Sequence, residues 1–388
     1  MKKISLPFPG VNLKPSISAK IEASEDEQVF VASQWQLMWW KFRKHRLAII
    51  GGIVTILLYL VAVFVEPLAP NDPEVQNAKY AFRPPTTIHF IDKNGKFSLR
   101  PFIYGTTAKR SLETLSLEFT EDKSQVYPIY FFCQGDPYKL WGLIPSRLHL
   151  FGTGVEDAPV FIFGADRQGR DMLSRVIYGT RISMSVGLIG VIMSFVLGIA
   201  IGGISGYYGG VVDIAIQRLI EFIRSIPTIP LWMGLSAALP ANWPPLQVYF
   251  GITIILSLIG WTGLARQVRG RFLALREEDF VMAAKISGSS ESRIIFRHMV
   301  PSIASHIIAS LTLSVPDMIL SETSLSFLGL GLRYPTISWG VLLQEAQNIR
   351  SVASAPWLMI PGAAVVLAVL ALNFLGDGLR DAADPYGR

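Results

Sequence analysis

No group of residues in the chain has a spacing that supports hydrolysis or metal chemistry. The pattern Gly-x-x-x-x-Gly-Lys-Ser/Thr is absent, and the pair Gly95-Lys96 is followed by Phe97, so the loop that cradles nucleotide phosphates is missing. His-Glu-x-x-His and Gly-x-Ser-x-Gly are absent as well. The single cysteine, Cys133, excludes an internal disulfide and a cysteine-based zinc site. Five scattered histidines have no ligand spacing, and we expect no catalytic residue and no metal.

Four charged residues stand out because they lie within or beside apolar stretches. Asp317 and Glu322 belong to one stretch, and Arg218 and Glu221 belong to another. Charged side chains at membrane depth are costly and usually face the interior of a helix bundle or a water-filled cavity. Two roles stay open: the acids line a pathway for a solute, or they pair with Arg218 or Arg224 and lock the bundle.

The elements that must position these residues are membrane-spanning helices. Hydrophobic residues make up 51% of the 388 residues and charged residues 16%, less charge than a soluble domain carries. A helix needs about 20 predominantly apolar residues to cross a bilayer. A sixth window, 214–239, counts because its second half is apolar, so we expect about six spans. The other five windows are 47–65, 182–204, 248–264, 302–320 and 357–375.

The distribution of lysine and arginine orients these spans. Cytoplasmic loops carry an excess of both residues, so the two most basic segments should be cytoplasmic, and six spans then place both termini inside. The polar N-terminus has no signal-peptide pattern. The net charge of +6 is explained in this way without nucleic acid. The cations lie before the first span (Lys41, Arg43, Lys44, Arg46) and after the fourth (Arg266, Arg269, Arg271, Arg276, Lys285, Arg293, Arg297).

The spans divide the chain into four parts. Residues 1–46 form a cytoplasmic arm, whose aromatic and basic end suits a helix lying in the membrane interface; the alternative is a juxtamembrane extension of the first span. Residues 47–65 form the first span, and residues 181–388 form the core. The polar segment 66–180 lies outside by the same topology. Alternating residues on both sides of Asn94-Gly95 favour a β-hairpin, so we expect a β-rich extracytoplasmic insertion; the alternative is a loosely ordered loop.

The loop 265–301 has the most informative pattern. A short helix begins at Met282, and Gly288 can end it because glycine adopts the left-handed conformation of a helix C-terminus. A second short helix over 294–296 leads to Pro301, which opens the fifth span as a first-turn proline. A short amphipathic helix that exposes small residues between two spans fits a groove on a partner protein. The alternative is an ordinary basic cytoplasmic loop.

This loop resembles the coupling loop of bacterial ABC-importer permeases. The family pattern is Glu-Ala-Ala-x-x-x-Gly, followed after nine residues by Ile-x-Leu-Pro. The matching positions are Ala283, Ala284, Gly288 and Pro301. The departures are Met282 for the glutamate, His298 for the isoleucine and Val300 for the leucine.

Most of the chain outside the insertion is similar to the C-type permease subunit of dipeptide, oligopeptide and nickel importers. Ala165 replaces a threonine of the family pattern, and Glu221 stands where aspartate is usual. The matching motifs are Phe163-Gly164-Ala165-Asp166-Arg167-Gln168-Gly169-Arg170-Asp171, Gly206-Tyr207-Tyr208-Gly209-Gly210, Leu325-Ser326-Phe327-Leu328-Gly329-Leu330-Gly331 and Leu375-Gly376-Asp377-Gly378-Leu379-Arg380-Asp381.

The resemblance implies an all-α transmembrane bundle of the type I ABC-importer permease fold, with the β-rich insertion added, in the bacterial cytoplasmic membrane. The chain itself would hydrolyse nothing and hold no cofactor. Its partners would be a second homologous permease in a heterodimer, two ATPase subunits that bind ATP and magnesium, an extracytoplasmic solute-binding protein and membrane lipid. The solute would be a peptide or an oligosaccharide. A secondary transporter with an outer domain is the alternative, and the missing buried acid–base chain counts against it.

The resemblance also assigns roles to two groups of residues. The coupling contact with the ATPase would be made by Met282, Ala283, Ala284 and Gly288, with Arg276 and Arg293 either pairing with its acidic groups or remaining solvated. The second group lies just outside the second span and would form an ion-pair latch or contact the binding protein, the structural role being favoured. This outer motif consists of Asp166, Gly169, Arg170 and Asp171.

Overall fold

The computed structural model describes residues 34–110, 117–155, 158–240 and 242–383 of the chain. Short turns complete the helical part, among them a π-helical segment at Ile294–Met299 between single turns at Glu291–Arg293 and Val300–Ser302. The helices are α1 (Gln34–Lys44), α2 (Arg46–Val63), α3 (Val65–Leu68), α4 (Met172–Tyr208), α5 (Gly210–Ser225), α6 (Thr228–Ala237), α7 (Pro245–Leu275), α8 (Asp279–Ile286), α9 (Ala304–Phe327), α10 (Trp339–Leu343), α11 (Ile349–Ser354) and α12 (Ile360–Ala383).

Five helices of the described ranges are long and apolar enough to cross a membrane: α2, α4, α7, α9 and α12 with the turn before it (Pro356–Ala383). The sixth window of the expected set, residues 214–239, is not among these five helices. That window is divided into α5 and α6 at Ile226-Pro227, where Ile226 has an extended backbone. The residue before a proline is disfavoured in a helix by a steric clash, and this clash explains the break.

The divided segment nevertheless returns the chain along the bundle, because α4 and α7 run parallel. Near their starts, the Tyr249 hydroxyl donates to Ser185 (3.1 Å), and further along the Ser257 hydroxyl donates to the carbonyl of Gly190 (3.1 Å). Towards their ends, Gly206 lies against the backbone of Arg269. Two neighbouring helices that start at the same end require α5 and α6 to run back over the length of α4.

Both described ends of the chain lie at one end of the bundle. Arg181, near the start of α4, donates to the carbonyl of Val63 at the end of α2, so these two helices are antiparallel. The start of α2 and the end of α12 approach each other at His45 and Asp381, whose side chains are 3.9 Å apart. We call the end with His45 and Tyr208 the loop end, and the end with Val63 the insertion end.

Two helix starts differ from the expected positions. α4 begins at Met172, ten residues before the window at 182, because the Asp171 carboxylate accepts hydrogen bonds from the backbone N–H groups of Leu173 and Ser174. The fifth span does not open at Pro301: the proline lies in the single turn Val300–Ser302, and α9 begins after it at Ala304.

The described residues between α3 and α4 form five strands. The first three form an antiparallel sheet in the order β1-β2-β3, and β4 and β5 form a separate antiparallel hairpin. Ile103, Ile129 and Val160 pack together beneath them. The turn between β1 and β2 contains Gly95, which has a positive φ of 80°. The strands are β1 (His89–Ile91), β2 (Phe97–Arg110), β3 (Leu117–Pro128), β4 (Tyr130–Leu140) and β5 (Ile144–Gly152).

Candidate functional site

The loop between α7 and α9 contains a short two-faced helix, α8, at the loop end of the bundle. On its inner face Val281 is fully buried and packs with Phe272 of α7 and with Ile294 and Met299. We call this group of side chains the loop core. The helix starts at Asp279, three residues before the expected start. The side chains that it leaves exposed are mostly apolar: Phe280, Met282, Ala283 and Ile286.

The expected coupling residues thus separate into two kinds. Met282 and Ala283 are exposed, whereas Ala284 is half-buried against the loop core. Ile286, which the sequence reasoning did not single out, is 85% exposed. Positions 279, 282, 283 and 286 share one face of a helix because residues three and four apart are neighbours. On this outer face, Met282, Ala283 and Ile286 form a small apolar surface beside the exposed Asp279.

The helix ends at a left-handed glycine. Gly288 has φ +71°, and the Ser287 hydroxyl and the Ser289 N–H donate to the carbonyls of Ala283 (2.8 Å) and Ala284 (3.1 Å). The bond from Ser289 satisfies a carbonyl near the helix C-terminus that has no partner within the helix. A Cβ atom at position 288 would meet no heavy atom within 4 Å. Backbone conformation, rather than lack of space, therefore selects glycine here.

The two arginines of the predicted contact lie at opposite ends of the loop. The Nε atom of Arg276 is 3.0 Å from Oε1 of the neighbouring Glu277, and Arg293 is exposed in the turn before the π-helical segment. The Tyr208 hydroxyl at the end of α4 donates to Glu291 (2.6 Å). This bond attaches the second half of the loop to the bundle.

A bidentate ion pair connects α5 to α7 near the same end. Arg269 donates through Nε and Nη2 to the two carboxylate oxygens of Asp213, at 2.5 and 2.6 Å. The Ser205 hydroxyl of α4 also donates to Asp213 (2.5 Å), and Gln217 donates to that hydroxyl (3.1 Å). Three helices, α4, α5 and α7, are thereby held at one carboxylate.

Glu322 is fully buried between α4, α9 and α10. It accepts hydrogen bonds from the hydroxyls of Ser326 and Ser338 at 2.8 Å each, and from Ser183 at 3.3 Å. The Ser183 oxygen in turn accepts a hydrogen bond from the backbone N–H of Trp339 (3.1 Å). The Trp339 side chain is also fully buried. The arrangement supports a structural connection at the insertion end of α9 and leaves Glu322 no contact with solvent.

Asp317 is placed quite differently, on an exposed polar stripe along α9. Ser310 donates to Gln267 of α7 (3.0 Å), and the Ser321 hydroxyl donates to the carbonyl of Asp317 (2.7 Å). Spacings of three and four residues put the members on one face of the helix. Such a polar face is unfavourable against lipid, so it is expected to face a water-filled cavity or a protein partner. The stripe comprises the exposed Ser314, Asp317 and Ser324 and the half-buried Ser310 and Ser321.

The structure does not bring the four charged residues of the apolar stretches together. Arg218 pairs with Glu221 three residues later on α5, at 2.7 Å, with the arginine side chain 78% exposed. Glu322 is bonded to serines, and Asp317 lies on the exposed stripe. The expected alternative in which Arg218 or Arg224 pairs with an acid of α9 has no such pair among the described residues. The partner of Arg218 is instead Glu221, one turn away on the same helix.

The outer motif forms a compact buried cluster before α4. The carboxylate of Asp166 accepts bonds from the backbone N–H of Arg170 (3.0 Å) and from its Nε (2.7 Å), and Arg175 lies 3.5 Å away. Gly169 has φ +74°, and a side chain there would collide with the backbone of Asn77. Asp171 caps α4 and also accepts the Ser174 hydroxyl (2.6 Å).

Two further acids, which the sequence reasoning did not single out, complete the ionic contacts at the insertion end. Glu345 lies 3.4 Å from Arg170, and its pKa is raised, first by burial and then by the negative charge of Asp166. Glu66 accepts two bonds from Arg181, each 2.7 Å long. These partners are more than one hundred residues apart in the sequence, so no local spacing could have indicated them.

The described part of the chain contains no group of three or more His, Cys, Asp or Glu side chains placed to hold a metal ion. The buried His149 directs both ring nitrogens to backbone carbonyls, those of Ala69 (2.6 Å) and Asp136 (2.8 Å). This histidine ties β5 to the chain that leaves α3. What the site offers chemically is a helix face with exposed apolar side chains, a polar stripe and buried ionic connections.

Two of the similar solved structures are ABC transporters. One chain of the MetNI methionine ABC transporter in an inward-facing conformation aligns with 55% of this chain and 98% of its own length, at 15% identity and a TM-score of 0.43. An amino acid ABC transporter crystallised with histidines aligns with 54% of this chain and 94% of its own length, at a TM-score of 0.39.

The sequence comparisons are much closer. The dipeptide transport system permease protein DppC of Lactococcus lactis is 39% identical over 278 residues, which cover 69% of this chain and 78% of the relative. The oligopeptide transport system permease protein OppC of Haemophilus influenzae is 40% identical over 227 residues, 58% of this chain and 70% of the relative.

Two family models match separate parts of the chain. The model described as the N-terminal TM domain of oligopeptide transport permease C matches residues 33–85. The model described as the binding-protein-dependent transport system inner membrane component matches residues 198–386, from the middle of α4 to the C-terminus. The unmatched residues between them include all five strands. With relatives this similar over more than two thirds of their length, the chain belongs to the family of inner membrane components of binding-protein-dependent transport systems.

Proposed function

We propose that this chain is a permease subunit of an ATP-driven importer and that the outer face of α8 receives movement from an ATPase subunit. The observation that carries the proposal is the two-sided construction of α8. Met282, Ala283 and Ile286 are exposed at the loop end, while Val281 anchors the helix in the loop core. Exposed apolar side chains that share a rigid surface mark an interaction site.

The loop core gives a physical route from this surface to the spans. Val281 packs against Phe272 at the end of α7, and the same cluster includes Ile303 and Ile307 at the start of α9. Packed side chains of this kind transmit displacement because protein interiors are dense and have low compressibility. A push on α8 therefore moves the loop ends of two spans together. The bidentate pair of Asp213 and Arg269 extends that movement to α5.

The polar stripe of α9 is the best-supported lining for the solute. It contains Asp317, the one acid that the described part of α9 leaves exposed. An acid on a spanning helix usually faces a bundle interior or a cavity. In a heterodimer with a second permease, the stripe would face the central pathway, and Asp317 would attract the ammonium group of a peptide. Peptide is the proposed solute because the similar proteins from Lactococcus lactis and Haemophilus influenzae are named dipeptide and oligopeptide permeases.

The proposed assembly follows from family membership. It contains a second, homologous permease, two ATP-binding subunits at the loop end and a solute-binding protein at the insertion end, with the type I importer fold for the core. The broken pair α5–α6 crosses the membrane as one span, which gives six crossings and both termini in the cytoplasm. The five strands then lie on the outer side. The secondary-transporter alternative gains no support from the relatives, which are named as transport-system permeases.

The test is uptake coupled to ATP hydrolysis in vesicles that contain the complete transporter. Ala283→Arg places a long cation on the outer face of α8 and should abolish peptide uptake while the subunit remains inserted in the membrane. Ala274→Arg is the matched control, since Ala274 is an exposed alanine in the last turn of α7. Normal uptake in the Ala283→Arg transporter would refute the assignment of α8. Uptake without ATP by this chain alone would refute the importer itself.

A further inference from the structure

The hairpin of β4 and β5 ends in an apolar tip. The tip residues Trp141, Leu143 and Ile144 are 50%, 78% and 53% exposed. Trp141 and Gly142 both have positive φ, +52° and +73°, in a tight turn closed by a bond from the Leu143 N–H to the Leu140 carbonyl (3.0 Å). A bulky residue with positive φ is a genuine outlier, so contacts outside the turn must hold Trp141 in place.

Those contacts come from the end of the first span. The indole Nε1 of Trp141 donates to the carbonyl of Val63, the last residue of α2, at 2.8 Å. The backbone N–H of Trp141 donates to Glu66 at 3.3 Å, and its ring lies 5.9 Å from that of Phe64. The tip is therefore fixed at the level where an 18-residue apolar helix ends.

The exposed side of α2 and the tip that lies against its end are both apolar. Spanning helices end at the membrane–water interface, where tryptophan is enriched because its ring is apolar and its N–H is polar. Lys139 and Arg147 are exposed on the strands that lead to the tip, and long cationic side chains near an apolar surface reach the phosphate layer. The exposed apolar residues of α2 include Ile53, Ile56, Leu57, Leu60 and Val63.

We propose that the tip of the β4–β5 hairpin inserts into the interfacial layer of the bilayer beside α2. Leu143 and Ile144 would enter the boundary between headgroups and acyl chains, to a depth of about 5–10 Å, with Lys139 and Arg147 on lipid phosphates. The hairpin would then fix the β-rich segment against the membrane. This inference requires that α2 spans the membrane, and it is independent of the transported solute and of ATP coupling.

The experiment measures the depth of one fluorescent label. In a Cys133→Ser background, which removes the single cysteine, an environment-sensitive probe is attached at Leu143→Cys in the complete transporter, reconstituted in phospholipid vesicles. Leu57→Cys on the exposed side of α2 is the reference within the membrane. Phe131→Cys is the matched control: it is 68% exposed on the same hairpin but lies about 30 Å from the tip, at 3.3 Å per residue.

We expect nitroxide groups at shallow depth in the lipid to quench the label at position 143, with blue-shifted emission and a loss of quenching by aqueous iodide. The label at position 131 should show the reverse, and the label at position 57 should respond to deeper nitroxides. Equal behaviour at positions 143 and 131 would overturn the proposal. Protection of position 143 from both quenchers would overturn it too, because a protein partner would then cover the tip.

Discussion

Arg269 of α7 and Asp213 of α5 form a two-bond ion pair in which Nε and Nη2 each meet one carboxylate oxygen, at 2.5 and 2.6 Å. Asp213 is nearly buried, and the Ser205 hydroxyl of α4 donates to the same carboxylate. Bidentate arginine–carboxylate pairs fix orientation as well as distance. The pair therefore determines how α5 returns along α4 after the turn at Gly209.

Replacing Asp213 by asparagine should destabilise the protein by roughly 1–3 kcal/mol, because hydrogen bonds to a charged group are lost and Arg269 keeps an uncompensated charge. The measurement is the free energy of unfolding in detergent, followed by helical circular dichroism. Glu221→Gln is the control: it breaks the exposed pair with Arg218 on the same helix, and exposed pairs contribute little. Equal losses for both variants would show that the bidentate pair has no special role.

Glycine at position 288 should be required for its backbone conformation alone. Gly288→Ala forces a Cβ into the left-handed region at φ +71°, at a cost of about 1–2 kcal/mol, although no atom opposes the new methyl group. The end of α8 should therefore shift, and ATP hydrolysis should continue with reduced peptide uptake. Gly288→Asp should uncouple peptide uptake from ATP hydrolysis, because it too places a Cβ atom at this left-handed backbone position. The ratio of peptide taken up to ATP hydrolysed, measured in vesicles, tests both variants.

Gly270→Ala provides the matched control for that prediction. Gly270 also faces open space but has no positive φ and lies within α7. Alanine there should stabilise the protein slightly, by about 0.4–1 kcal/mol, because the unfolded chain loses freedom. The coupling ratio should stay at the wild-type value. A loss of coupling in both variants would mean that any added methyl group in this region is harmful, whatever its backbone conformation.

The buried carboxylate of Glu322 should tolerate an isosteric amide but not an apolar side chain. Glu322→Gln keeps an acceptor for the hydroxyls of Ser326 and Ser338. Glu322→Leu removes that acceptor and leaves the buried hydroxyls without a hydrogen-bond partner, at a cost of about 1–3 kcal/mol. Thermal unfolding in detergent should rank the variants as wild type, glutamine, leucine. If leucine proved as stable as glutamine, the serine network would be dispensable.

Hydropathy alone located the long helices, since their apolar windows are local properties of the sequence. It misplaced the start of α4 because Arg175 and Arg181 look unfavourable within a span. Arg175 lies beside Asp166, and Arg181 is neutralised by Glu66, which is 115 residues away in the sequence. The break at Ile226-Pro227 was within reach of the sequence, because a proline signal was present where a continuous span was expected.

The candidate site was predictable in part for the same reason. The short helix that ends at Gly288 follows a local pattern and could be predicted from the sequence, whereas the coupling role of Ala283 and Ala284 rests on the family resemblance and stays a prediction. The buried surroundings of Glu322 depend on Ser183 and Ser338, which come from α4 and from the segment before α10. Serines are common and carry no spacing signal, so only packing could separate the buried Glu322 from the exposed Asp317. The position of Trp141 at the end of α2 could not be predicted either, because its hydrogen-bond partner Val63 is 78 residues away in the sequence.

The pair of Glu66 and Arg181 should make stability depend on pH in the acidic range. Burial raises the pKa of Glu66, but the hydrogen bonds and charge of Arg181, with the N–H of Trp141, outweigh it and bring the pKa below its ordinary value of 4.5. A carboxyl group whose pKa is lower in the folded than in the unfolded state binds fewer protons when folded. The stability it provides is therefore present above about pH 4.5 and is lost as the pH falls through the folded pKa.

The measurement is the difference in unfolding temperature between wild type and Glu66→Gln, taken from pH 7 down to the acid limit of the detergent. The difference should be constant at neutral pH and should shrink below about pH 4.5 as the wild-type carboxylate is protonated. Acids elsewhere in the chain titrate equally in both proteins and cancel. Arg181→Met should give an unfolding temperature close to that of Glu66→Gln at acidic pH. A difference that stayed constant over the whole range would show that the ion pair does not stabilise the end of the first span.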